Sequence, residues 1–162
     1  MKLCVDVHYA DDGARAAGVG FVAWTDAEPA LEIVRGSTSP PAPYEPGQFY
    51  KRELPHILAV LAEAPRPLDL VIIDGQVWLD AGRPGLGAHL HEAARVPVVG
   101  VAKSAFREGV AVPVRRGGSA RPLYVSAAGI DPAVAAERVR EMHGEHRIPT
   151  LLKRVDRLAR GS

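Results

Sequence analysis

A chain of 162 residues, 47% hydrophobic and 24% charged, has the size and composition of one domain with a real core. No apolar run approaches the roughly 20 residues of a membrane span, and Met1 to Val7 is too short for a leader and is broken by Asp6, so a soluble, cytoplasmic protein without membrane contact is expected. The net charge of +1 hides an asymmetry: residues 1–80 carry 6 Lys+Arg against 12 Asp+Glu, and residues 81–162 carry 14 against 7.

An acidic centre in basic surroundings suits a metal-dependent enzyme that holds a phosphodiester backbone. Two solvated faces would give the same totals. Cys4, the one cysteine, lies in an apolar run and can form no intramolecular disulfide.

In chain order, Lys2–His8 is a buried strand, and Gly18–Trp24 and Leu31–Arg35 are two more. The turn-rich stretches Asp11 to Gly13 and Asp26 to Pro29 separate them, so an antiparallel three-strand meander is expected. Ser37 to Pro46, with four prolines, is a loop. Leu54, Ile57, Leu58 and Leu61 then fall at helical spacing within Gly47–Ala64.

Leu68–Ile73 is a fully buried strand ending at Asp74-Gly75, Leu86–Ala94 a helix, Val96–Val101 another buried strand, and Leu123–Ser126 a short one. Asp131-Pro132 is an N-cap and first-turn pair that opens a helix to about His143, and a last helix runs from about Thr150 to Arg160. Strands that alternate with helices after a meander give a single α/β domain over residues 1–162, a mixed sheet with parallel strands and helices on both faces.

Asp6 stands mid-strand among Leu3, Val5 and Val7, where burying its charge costs several kcal/mol, about the scale of an uncompensated ion. Asp74 ends an apolar strand, the place where ligand sites gather in α/β sheets. If the two strands are neighbours the carboxylates converge, and a hard divalent cation relieves their repulsion, with Mg²⁺ or Mn²⁺ the usual choice. A paired buried ion for Asp6 and an ordinary Asp-Gly turn for Asp74 are the plainer alternatives.

Glu53 lies one position before the apolar stripe of its helix and could reach the sheet edge, or could be a surface glutamate. Lys103 follows the strand Val96–Val101, where an ammonium could neutralise a phosphate or a leaving oxygen. Asp156, among Lys153, Arg154 and Arg157, could be a surface ion pair. The six histidines form no zinc motif, and both a serine nucleophile elbow and a phosphate-binding loop are absent.

Together these segments resemble the endonuclease V family. Pro43-Tyr-Glu-Pro-Gly-Gln-Phe-Tyr-Lys-Arg-Glu53 is similar to its wedge loop running into an Arg-Glu helix, and Asp74-Gly75 with Arg83-Pro-Gly-Leu-Gly-Ala-His-Leu90 to its Asp-Gly block and following helix. Pro97-Val-Val-Gly-Val-Ala-Lys-Ser104 is the most distinctive match, and Leu123–Ser126 and Pro149–Asp156 resemble the closing blocks, all in the family's order.

The resemblance implies a ribonuclease H-like, Mg²⁺-dependent endonuclease, with Mn²⁺ able to substitute, that cuts DNA or RNA on the 3′ side of inosine by in-line attack of metal-activated water. It implies Asp6 and Asp74 as direct metal ligands, Glu53 as the third acidic group, Lys103 as the catalytic lysine and Asp156 as the C-terminal acid. It further implies Tyr44 as the wedge entering the gap left by a flipped base, and Gly47, Phe49, Gly75, Leu86, Gly100 and Phe106 as walls of the base pocket. Val77 stands where the family has glycine and would crowd that pocket's floor; Asp80-Ala-Gly-Arg83 replaces a His-Pro-Arg. A monomer is expected. A nuclease with another target and a non-cleaving nucleic-acid binder are the competing readings.

Overall fold

A computed structural model describes residues 1–38, 50–105 and 110–162. Three strands open the chain: β1 (Lys2–Ala10), β2 (Gly13–Phe21) and β3 (Leu31–Ser37). They are followed by α1 (Tyr50–Glu63), β4 (Leu70–Asp74), the short strands β5 (Trp78–Asp80) and β6 (Arg83–Pro84), and α2 (Leu86–Ala94). Then come β7 (Val98–Ala102), β8 (Val112–Val114), β9 (Leu123–Ala128), α3 (Pro132–Glu141) and α4 (Thr150–Arg160).

The main sheet has seven strands in the order β3-β2-β1-β4-β7-β9-β8, and β5 and β6 form a separate hairpin. The first three strands are the expected meander, and β4 and β7 join β1 in parallel. Alternation along each strand sends side chains to two cores. Cys4, Ile72, Val99 and Val101 pack under α3 and α4, while Leu3, Val5, Val71 and Val98 pack under α1 and α2. The mixed sheet with helices on both faces is therefore present.

Several boundaries and one direction differ from expectation. β1 runs on to Ala10 and turns through Asp11 and Asp12, so β2 begins at Gly13, five residues before the Gly18 start that its apolar run suggests. Its small residues are set by packing, not by strand propensity: a side chain at Gly18 would meet a Val60 methyl of α1 at 2.7 Å. β9 is antiparallel to β7, not parallel. A parallel return needs a long crossover, and among the described residues only β8 lies between them, itself paired antiparallel with β9. β5, β6 and β8 have three, two and three residues, too short for a periodic signal.

Helix α2 and helix α4 have the expected bounds, and Asp131 caps α3, its carboxylate accepting from the Ala133 amide at 2.8 Å. Among the described residues no helix is long and apolar enough to cross a membrane.

Candidate active site

The register of β1 and β4 places the first two acids. Their ladder ends with Val5 opposite Ile73, so Asp6 and Asp74 are the next residues on two adjacent parallel strands. They share the parity of Cys4 and Ile72 and so project to the face covered by α4. Asp74 pairs with Val101 of β7, and Lys103, two residues on, has the same parity. One turn of α4 completes the group. Asp6, Asp74, Lys103, Asp156 and Lys153 line a single cleft of about 160 Å³, whose apolar wall includes Val5, Val101 and Leu123.

Lys103 Nζ lies 3.8 Å from Asp74 Oδ2. Asp156 is held by Arg160, whose Nε reaches its two carboxylate oxygens at 3.0 and 3.1 Å, and its charge adds to the repulsion on Asp6 in the same cleft. Asp6 also accepts from the Val7 amide at 3.0 Å.

Glu53 arrives from the opposite face, in the first turn of α1, and does not line the cleft. Its surroundings are nevertheless part of the same field. Burial and then the charge of Asp74 push the Asp6 carboxyl up to about 7, and the same two causes push Glu53 up to about 7. Asp74 is raised as well, by burial, with Lys103 pulling in the other direction, although 44% of its side chain remains open to solvent.

Carboxyls whose charge is opposed by burial and by one another form a hard, oxygen-only donor set, the chemistry that fits Mg²⁺ or Mn²⁺. Among the described residues no three such side chains stand at ligating distance from a common point. The donors fit the ion by their chemistry and mutual repulsion.

The expected base-pocket residues fall into three groups. Tyr44, Gly47, Phe49 and Phe106 lie outside the described residues. Gly75 follows Asp74 with a φ of 143° and open space around its α-carbon, a backbone that a side chain would strain. Leu86, Val77 and Gly100 are buried.

The Val77 side chain packs inward against Gly87 and Gly100, and the Val77 amide donates to Ser126 Oγ at 3.0 Å. At Gly100 the space a side chain would fill is taken by the Gly75 carbonyl, 2.5 Å from where a β-carbon would stand. Asp80 pairs with Arg83 at 3.4 Å in the β5–β6 hairpin.

Four residues gain a place that the sequence does not reveal. Lys153 adds a second ammonium to the cleft. Ser126, a buried polar side chain, ties the segment after Asp74 to β9. Arg116, also buried, donates to the carbonyls of Arg140, Met142, Gly144, His146 and Arg147. Arg147 in turn donates to the carbonyls of Lys103 and Pro122. Ser126 sits inside a block matched by type alone, and nothing in the sequence distinguishes these arginines from solvated ones.

Residues 3–137 match the family model described as Endonuclease V. Endonuclease V of Xanthomonas oryzae pv. oryzae is 36% identical over 134 residues, which cover 82% of this chain and 56% of that protein. The chain spans about half the length of the first curated relatives it matches. The crystal structure of endonuclease V from Streptomyces avermitilis superposes with a TM-score of 0.80 at 29% identity, covering 98% of this chain and 79% of that one. Endonuclease V of Ciona intestinalis, solved with a 23mer DNA containing an inosine, superposes with a TM-score of 0.82 at 18% identity, covering 99% and 83%, a likeness of fold. The ribonuclease H-like architecture expected from the sequence is the one shared with these structures.

Proposed function

Because this chain belongs to the endonuclease V family, we propose that it is a Mg²⁺-dependent endonuclease, with Mn²⁺ able to substitute, acting on inosine-bearing DNA or RNA. In this reading it cuts on the 3′ side of the deaminated base by in-line attack of water on phosphorus, as part of DNA repair or of inosine-RNA cleavage, in the cytoplasm and as a monomer. The observation that carries the reading is the convergence of Asp6, Asp74, Asp156 and Lys103 on one cleft, drawn from β1, β4, α4 and the end of β7.

A divalent cation bound there supplies Lewis-acid polarisation and a lowered pKa for a coordinated water. Asp6 and Asp74 are the residues that would hold it, with Glu53 and Asp156 completing the acidic field. A carboxyl that is raised by burial must be ionised to do so, and the mutual repulsion of the acids makes a dication the natural counter-charge. Lys103 sits where its ammonium can meet the charge that develops on the phosphoryl oxygens, and Lys153 adds a second ammonium to the lining of the cleft.

Recognition of the base is assigned to Tyr44 as a stacking wedge and to the turn at Gly75, where the space beside the α-carbon is open to an approaching base. The inosine-containing DNA held by the Ciona intestinalis relative supports this substrate class. The test is nicking of an inosine-bearing oligonucleotide, as DNA and as RNA, with Mg²⁺ or Mn²⁺, by wild type and Asp74→Ala. Metal-stimulated cutting by wild type and none by the variant is expected. An intact inosine strand would remove the substrate claim, and equal cutting by both proteins would remove the mechanism.

A further inference from the structure

Lys103 is the first residue beyond the β7–β9 ladder, whose last pair is Ala102 with Tyr124. Among the described residues the pairing goes no further, yet an ammonium that must meet a phosphoryl oxygen needs a fixed stem. Two side chains take over where the ladder stops. The Arg147 guanidinium donates to the Lys103 carbonyl and, at 2.8 Å, to the Pro122 carbonyl just before β9. Gln76 Nε2 donates to the Ser104 carbonyl at 3.1 Å.

Arg147 is itself anchored from below. Arg116, 7% exposed, donates through one nitrogen to the carbonyls of His146 at 2.9 Å and Arg147 at 3.1 Å, and through another to Met142 and Gly144. The α3–α4 connection is thus gripped by one buried guanidinium and uses a second to grip the strand end that carries Lys103.

Stability alone accounts poorly for this arrangement. Arg147 Nε is buried and has no partner among the described residues, and a buried donor left unmade is costly. The long guanidinium stem is suited to something else: it carries one nitrogen, Nη2, out to two carbonyls at once, that of Lys103 just after β7 and that of Pro122 just before β9.

We infer that Arg147 is a positioning residue for Lys103, holding the lysine's backbone so that its ammonium stays over the Asp74 side of the cleft. The inference rests on the nuclease reading for its kinetic consequence, but the mechanical tie does not. Arg147→Lys keeps the charge and ends one bond short of where Nη2 stands, so it is the primary variant, with Arg147→Met beside it.

Two measurements decide. In the first, hydrogen exchange at the Lys103 and Ser104 amides is compared in wild type and Arg147→Lys, with β1 and β9 as internal references. Faster exchange confined to the strand end is expected. In the second, Arg147→Lys lowers kcat about 10- to 100-fold, the scale of a misplaced catalytic group, with KM little changed, and causes no further loss when Lys103 is already alanine.

Unchanged exchange, or losses that multiply in the double variant, would overturn the inference, because a merely structural arginine would weaken the enzyme with or without Lys103. A wild-type protein that cuts no strand would instead overturn the nuclease reading, and the exchange measurement would still decide the tie.

Discussion

Lys103 Nζ stands 3.8 Å from Asp74 Oδ2, a cation and an acid contributed by two neighbouring parallel strands. Both side chains remain about half open to solvent, at 55% and 44% exposure, so as a stabilising ion pair the contact contributes little. Its value lies in where it places the ammonium, at the rim of a cleft lined by three aspartates.

Removing that ammonium leaves the fold and the acids in place. Lys103→Ala is expected to lower the single-turnover cleavage rate by about 10²- to 10³-fold, the scale for loss of one preorganised electrostatic group, with strand affinity nearly unchanged. A loss expressed mainly in affinity would mean that Lys103 binds the strand and does not stabilise the reacting phosphate.

The raised carboxyls make the metal-free protein less stable as the pH rises. Asp6 and Glu53 have ordinary values of 3.8 and 4.5 and stand at about 7 in the folded chain. Between those limits the native state binds more protons than the unfolded one, so their favourable contribution is complete below about pH 4 and is lost as the pH climbs through 7. Thermal melts in a chelator should show a Tm component that falls from pH 4.5 to 8. Asp6→Asn should flatten the fall, and Mg²⁺ should restore Tm at pH 8, by about 2.7 kcal/mol of stability at a hundredfold excess over Kd. A Tm insensitive to both pH and Asp6→Asn would contradict the electrostatic account.

Gly100 offers a packing test. A methyl group there would press on the Gly75 carbonyl and on Val77 and Ser126, of which the first is backbone that cannot swing away. Gly100→Ala is expected to cost about 1–3 kcal/mol in denaturant titration, the range for overfilling a packed core, and to disturb the Gly75 turn beside Asp74. A neutral substitution would show that this segment yields easily.

Much of this molecule was legible from the chain alone because the signals are local. The apolar runs that contain or precede Asp6 and Asp74, the helical stripe through Leu54, Ile57, Leu58 and Leu61, and the Asp131-Pro132 cap each depend on residues within a turn or a strand of one another. The blocks from Pro43 to Asp156 placed the family for the same reason. Local pattern misjudged what long-range pairing decides. The start of β2 at Gly13 is set by its ladder to β1, and the antiparallel return of β9 by a connection without a crossover helix among the described residues.

For the site, the sequence determined which side chains carry charge in apolar surroundings, since the cost of burying a carboxylate singles out Asp6 wherever the strand goes. Only the tertiary structure decided which of those charges share a field. Asp6 meets Asp74 through the parallel register of β1 and β4, meets Asp156 because α4 packs on that face, and shares its cleft with Lys103, which stands two strands away at the end of β7. Arg116 and Arg147 belong wholly to that second category: in the chain they are two arginines among many, and they become a strap under Lys103 only when the fold carries the α3–α4 connection beneath the open end of the sheet.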